Sequence, residues 1–254
     1  MLGIPLLDGH SDENPTWLPQ VTANAFELFV SVSYGQYVIR STFHNDAVIG
    51  LLRLSDMYMS QRARDWAIHH IFKRRFYLKP SQLIATALRY NVKKFFVNGF
   101  CRLARQRFND ITTEDRSSMG FIVFSALVDL KESLTEHRSI VACEEPVITV
   151  HANDCFDQDK CGTEWRQLWW NGMGRFLMDG RNPQPYQDAV ERFEKIEAEI
   201  GHVGVGCWHK ILKVVKDGSA FELEQRLIDD TAEQLAAALI SEPGPMDISA
   251  QASN

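Results

Sequence analysis

Apolar residues recur along most of this chain at the three- and four-residue spacing of an amphipathic helix. The spacing is clearest after Thr112, where six apolar residues fall on one helical face. They are Met119, Ile122, Val123, Ala126, Leu127 and Leu130. We therefore predict one long helix with Thr112 as its N-cap.

The same spacing, bounded by capping residues, predicts helices along the rest of the chain. They begin at or include Thr22, Asn45, Ser60, Pro80, Phe96, Trp165, Tyr186, Cys207 and Ser219. Several large apolar side chains are expected in the core. They are Phe26, Phe29, Leu51, Leu52, Met57, Met59, Phe95 and Phe96.

Three stretches depart from the helical pattern. Residues 16–18 lie between Pro15 and Pro19, which is typical of a short edge strand. Residues 138–164 are predicted to form a loop, with an extended piece at 147–150, and Gly172 and Gly174 are expected to loosen the chain. Residues 241–254 are small and polar, and we predict a disordered tail. The fold class predicted is α+β, predominantly α-helical.

Composition predicts an intracellular globular protein, in the cytoplasm or the nucleus. The chain has 254 residues, of which 45% are hydrophobic and 24% charged. No apolar run approaches the roughly 18 residues of a membrane helix, and no secretory leader is recognised. The five cysteines are scattered and odd in number, which favours reduced thiols over a disulfide framework.

Charge is distributed unevenly along the chain. The net charge is −6, but residues 61–107, the basic stretch, hold twelve Lys and Arg and a single acid, Asp65. The pattern favours solvated helix faces that are complemented by acids elsewhere. The alternative is a docking surface for an acidic partner or a nucleic acid.

The predicted loop contains a group of metal-ligand residue types. Cys143, His151, Cys155 and Cys161 lie within nineteen residues and are all legal zinc ligands. No pair has the C-x-x-C spacing that makes a zinc signal strong. The sequence therefore favours thiols without a metal, and we predict neither a metal nor a cofactor.

No catalytic arrangement is recognised in the sequence. His69 and His70 are adjacent, so on a helix their side chains point about 100° apart and cannot chelate one ion. Cys207 and His209 are two residues apart and face different ways on a helix. The chain contains no phosphate loop, G-x-S-x-G or H-E-x-x-H. We predict a protein that is not an enzyme and has no catalytic residues.

Two stretches of the chain resemble the second half of a BTB/POZ domain. They are "VTANAFELFVSVSYG" at 21–35 and "DAVIGLLRLSDMYMSQRARDWAIHHIF" at 46–72. The next stretch, "KPSQLIATALRYNVKKFFVNGFCRLARQRFNDITTEDRSSMGF" at 79–121, resembles the helical extension of BTB proteins in mushroom-forming fungi. Those proteins also tend to carry a later Cys-x-x-x-Trp, here Cys161 and Trp165.

The resemblance implies a domain arrangement and a function. Residues 1–78 would be a partial BTB/POZ domain that begins inside that fold, residues 79–240 its helical extension, and 241–254 the tail. The implied function is protein–protein interaction, as a substrate adaptor for a cullin-type ubiquitin ligase. Homodimerisation is not expected, because the family's dimer interface uses the half that is not recognised here. The alternative function is nucleic-acid binding through the basic stretch.

Overall fold

The computed structural model describes residues 21–35, 44–146, 151–153, 155–179, 190–191, 194–195, 203–217 and 219–241. These residues are predominantly helical, and none of them belongs to a strand. The predicted strand at 16–18, the extended piece at 147–150, most of the helix from Tyr186 and nearly all of the tail lie outside this description. The chain divides into two compact units, residues 1–78 and residues 79–254.

The first unit contains three packed helices, whose predicted starts are confirmed. They are α1 (Ala23–Ser33), α2 (Asn45–Met57) and α3 (Gln61–Lys73), followed by a 3₁₀ turn (Arg75–Tyr77). The Thr22 hydroxyl oxygen accepts a hydrogen bond from the Ala25 amide at 3.2 Å. Ser60 caps α3 in the same way, through the Ala63 amide at 3.4 Å. Each cap satisfies an amide that has no partner inside its helix.

The core of the first unit is formed mainly by α1, α2 and α3. Leu51 and Leu52 are fully buried, as predicted. The prediction was wrong for Phe26, which is 41% exposed, and for Met57 and Met59, which are also exposed. Both methionines lie where α2 ends and the chain turns, so helical periodicity did not apply to them.

The second unit contains eight described helices. They are α4 (Pro80–Tyr90), α5 (Lys93–Arg105), α6 (Thr113–Met119), α7 (Phe121–Cys143), α8 (Gln158–Trp169), α9 (Arg175–Leu177), α10 (Val205–Asp217) and α11 (Ser219–Leu239). A π-helical turn (Trp170–Gly174) joins α8 to α9, where the glycines were predicted to loosen the chain. Among the described residues, no helix has both the length and the apolar composition needed to cross a membrane.

The pair α4 and α5 is the closest-packed part of this unit. Pro80 occupies the first turn of α4, and Asn91 ends it in the left-handed conformation with φ 52°. Phe95 and Phe96 on α5 are fully buried, as predicted. Helix α5 also contacts α11, which packs along α7.

The long helix predicted from Thr112 is divided at Gly120. Gly120 has φ +79°, which ends α6 and starts α7 in a new direction. Met119, Val123, Leu127 and Leu130 are buried as predicted, but Ile122 is 61% exposed. The periodicity alone gave no sign of this break, because the apolar spacing continues across the glycine.

A capping box fixes the start of α6 and links it to α4. The Asp115 carboxylate accepts hydrogen bonds from the Thr112 amide at 3.0 Å and from the hydroxyls of Ser81 and Thr112. The Thr112 hydroxyl oxygen accepts from the Asp115 amide at 3.1 Å. The bonds from Ser81 and Thr112 hold the pKa of the Asp115 carboxyl below its usual range.

We expect Asp115→Ala to lower the free energy of unfolding by about 1–2 kcal/mol, because it removes the carboxylate half of the capping box and leaves the buried Ser81 hydroxyl unpaired. The carboxyl pKa is lowered by folding, so this contribution exists above the unfolded pKa of about 3.9 and is lost as the pH falls through the folded value. Urea denaturation at neutral and acidic pH measures both effects. Glu114→Ala, on the exposed neighbour, is the control, and an equal loss in both variants would contradict the prediction.

Helix α7 extends further than predicted. It continues to Cys143, and α8 begins at Gln158, so the stretch 138–164 is not one loop. Lys131 on α7 donates hydrogen bonds to the carbonyl oxygens of Ala104 at 3.0 Å and Gln106 at 2.6 Å, at the end of α5. Burial lowers the pKa of this lysine to about 8. Two turns further along α7, the Arg138 guanidinium donates a hydrogen bond to the Glu224 carboxylate of α11.

Candidate metal centre

One imidazole and three thiols come together in the second unit. The ligand atoms of His151, Cys155, Cys161 and Cys207 all lie within 4.8 Å of one another. His151 Nδ1 is 3.4 Å from the Cys155 sulfur and 3.8 Å from the Cys207 sulfur. We call these four residues the Cys₃His cluster.

Two helix starts and one turn position the Cys₃His cluster. Cys155 follows a turn in which its amide donates to the Ala152 carbonyl at 3.0 Å, and this turn returns the chain toward His151. Cys161 lies in the first turns of α8, whose N-cap Asp157 accepts a hydrogen bond from the Lys160 amide. Cys207 lies in the first turn of α10.

Two nitrogen–sulfur distances in the cluster are close to those of a tetrahedral zinc site. With Zn–S near 2.3 Å and Zn–N near 2.0–2.1 Å, tetrahedral ligands lie about 3.8 Å apart for two sulfurs and about 3.6 Å apart for sulfur and nitrogen. The distances from His151 Nδ1 to the Cys155 and Cys207 sulfurs, 3.4 and 3.8 Å, bracket the second value. The cluster therefore has the dimensions of a site for one ion.

Three tryptophans share a buried core with the cysteines of the Cys₃His cluster. Trp165 and Trp169 follow Cys161 on one face of α8, and Trp208 follows Cys207 on α10. The ring of Trp165 lies 5.7 Å from that of Trp169 and 6.2 Å from that of Trp208. The indole nitrogens of Trp165 and Trp169 donate to the carbonyl oxygens of Pro146 and Ala142. These two tryptophans are buried in the core, and Trp170 is exposed.

Backbone and charged groups favour negative charge on the sulfurs. The Ala152 amide donates to the Cys207 sulfur at 3.2 Å, and Lys210 donates to the His151 carbonyl oxygen at 3.0 Å. Cys161 and Cys207 lie near helix N-termini, where the macrodipole stabilises anions. Burial and the neighbouring thiols of Cys207 and Cys155 act in the opposite direction and raise the pKa of the Cys161 thiol to about 12.

The structure brings together three of the four residues that the sequence had grouped. Cys143 is exposed at the end of α7 and does not belong to the cluster. Its place is taken by Cys207, which the sequence analysis had paired only with His209. Cys207 follows Cys161 by 46 positions. No local spacing signals such a contact; only its position at the start of an amphipathic helix could have suggested a buried thiol.

The other candidate residues have structural roles. The His70 ring stacks on Trp66 at 3.5 Å, and its Nδ1 lies 3.0 Å from the Trp66 carbonyl oxygen. Burial lowers the pKa of His70. His69 and His70 belong to no metal-ligand group among the described residues.

The basic stretch is divided between the two units and is partly neutralised. Arg64 pairs with Asp56 in the first unit. In the second unit, Lys93 pairs with Glu233 at 2.9 Å. Five other basic residues of the stretch, which would support the nucleic-acid alternative, also lie on several elements. They are Arg62, Lys73, Arg74, Arg75 and Lys94.

Comparisons of the chain with protein-family models, with curated proteins and with solved structures find no match. The candidate site is therefore interpreted from its own geometry.

Proposed function

We propose that this chain is a non-catalytic protein-interaction module. The observation that supports it most directly is an exposed aromatic surface at the start of α7. Phe121 is 82% exposed and Ile122 is 61% exposed, at the first two positions of a helix of 23 residues. We call Phe108, Phe121, Ile122 and Phe124 the α7 surface.

An arginine packs against two aromatic rings of the α7 surface, a combination that is typical of protein interfaces. The rings of Phe108 and Phe124 lie 6.1 Å apart. The Arg116 guanidinium lies 5.5 Å from the first ring centre and 5.2 Å from the second. Aromatic residues and arginine are enriched in interfaces, where they supply most of the binding energy. The surface suits a partner with an apolar side chain and a carboxylate for Arg116.

The finer form of the proposal is that the module is a substrate adaptor for a cullin-type ubiquitin ligase inside the cell. Its support is the resemblance to the second half of an α+β BTB/POZ domain. The two stretches that carry this resemblance hold the helices at 23–33, 45–57 and 61–73. In this form residues 1–78 bind the ligase and the α7 surface binds the substrate. Nucleic-acid binding is less well supported, because the basic stretch lies on several elements and Arg64 and Lys93 pair with acids.

A test of the proposal places a charge at one exposed side chain of the α7 surface. We expect Ile122→Asp to weaken binding of a partner captured by the wild-type chain at least tenfold, because a carboxylate would have to be desolvated at the interface. Affinity is measured by titration of the purified partner, and a cullin N-terminal domain is titrated separately as a probe of the ligase side.

The chain offers a matched control on the same helix. Ile140 is 50% exposed, and eighteen residues bring it to the same face of α7, about 27 Å along the axis. Ile140→Asp therefore adds the same charge at similar exposure outside the surface, and we expect it to bind normally. Equal binding by both variants would contradict the role of the α7 surface.

A further inference from the structure

We propose that His151, Cys155, Cys161 and Cys207 bind one structural zinc ion. Four ligand atoms, one nitrogen and three sulfurs, lie within 4.8 Å of one another, and Cys₃His is an established ligand set for structural zinc. All four come from this chain, so the ion's tetrahedral shell would be complete.

The convergence of three thiols and an imidazole supports a bound ion over free cysteines, since a buried cysteine by itself is common. Cys161 is 1% exposed and Cys207 is fully buried, yet neither forms a disulfide. Three converging sulfurs and a polar imidazole gain little in an apolar environment by themselves. A soft divalent ion gives each of them a strong partner, and thiolate with imidazole favours zinc over the hard cations.

Groups around the site also offset the charge that a zinc centre would carry. Binding displaces one proton from each of the three thiols, and Nδ1 is the His151 ring atom that lies near the Cys155 and Cys207 sulfurs. The resulting centre carries one negative charge. The Lys210 ammonium, held 3.0 Å from the His151 carbonyl oxygen, and the N-termini of α8 and α10 offset that charge.

The position of the centre indicates what the ion does. His151, Cys155 and Cys161 lie on a short irregular segment and the start of α8, whereas Cys207 belongs to α10. An ion between them joins these two helices beside the tryptophans that form their common core. No coordination position is left open for a water or a substrate, so the ion is structural.

The first test is the metal content of the full-length protein, expressed with zinc in the medium. Elemental analysis should find about one zinc per chain. Cys161→Ser and Cys207→Ser should each lose most of it, whereas Cys143→Ser, which removes an exposed cysteine outside the cluster, should retain it. Zinc far below one per chain in the wild type, or iron in its place, would overturn the proposal.

Cobalt provides a second readout that does not depend on the serine variants folding. Titration of the metal-free wild type with cobalt(II) should give the intense visible bands of a tetrahedral thiolate complex. His151→Cys should keep that geometry and raise the thiolate-to-metal charge-transfer intensity by about a third, since four thiolates replace three. An octahedral cobalt spectrum would overturn the proposal, and so would a disulfide between two of the three cysteines in the freshly purified protein.

Discussion

Arg138→Met is expected to lower the free energy of unfolding of the second unit by about 3–5 kcal/mol, the usual cost of breaking a buried ion pair. Arg138 on α7 and Glu224 on α11 are both buried, and their side chains form two hydrogen bonds, at 2.7 and 3.2 Å. Removing the guanidinium leaves the Glu224 carboxylate buried without its partner. Urea denaturation followed by tryptophan fluorescence measures the change.

Two further variants separate the cost of an unpaired charge from the value of the pair. The double variant Arg138→Met with Glu224→Leu should recover most of the loss, because replacing both partners of a buried pair is often neutral or stabilising. Arg226→Met breaks an exposed pair with Glu222 on the same helix and should cost less than about 1 kcal/mol. A double variant as unstable as Arg138→Met would show that the pair itself stabilises the unit.

Gly99→Ala is expected to lower the free energy of unfolding by about 1–3 kcal/mol, the range for overpacking a core. Gly99 lies in the middle of α5, where α4 approaches most closely. A Cβ atom there would lie 2.9 Å from the Pro80 carbonyl oxygen and 2.9 Å from Ile84 Cγ1. Because one of these atoms is backbone, a change of rotamer cannot relieve the contact.

The same substitution at a glycine in α8 is expected to raise the free energy of unfolding. A Cβ atom at Gly162 meets no atom within 4 Å, so Gly162→Ala should stabilise the protein by roughly 0.5–1 kcal/mol through helix propensity alone. Thermal and urea denaturation of both variants compare the two sites. The prediction fails for Gly99 if its alanine variant is as stable as the wild type.

The sequence by itself determined where most of the helices begin. Thr22, Ser60 and Thr112 cap helices in the structure as predicted, because a cap bonds an amide only three residues away. Pro80 and Asn91 likewise mark the two ends of α4. The buried faces of α5 and α7 also follow from local spacing, which is why Phe95, Phe96 and Leu127 were placed correctly, whereas α1 buries Ala25, Leu28 and Val32 and leaves Phe26 exposed.

Tertiary structure decided the breaks in the helices and the membership of the Cys₃His cluster. The apolar spacing continues through Gly120, so only the packing of α6 and α7 against different neighbours reveals the turn there. The sequence had favoured thiols without a metal, because Cys143, His151, Cys155 and Cys161 show no zinc spacing. Folding replaces Cys143 by Cys207, 46 positions beyond Cys161, since α10 packs on the tryptophan face of α8. A contact between distant segments depends on the packing of whole helices, so the spacing of residues within one segment does not predict it.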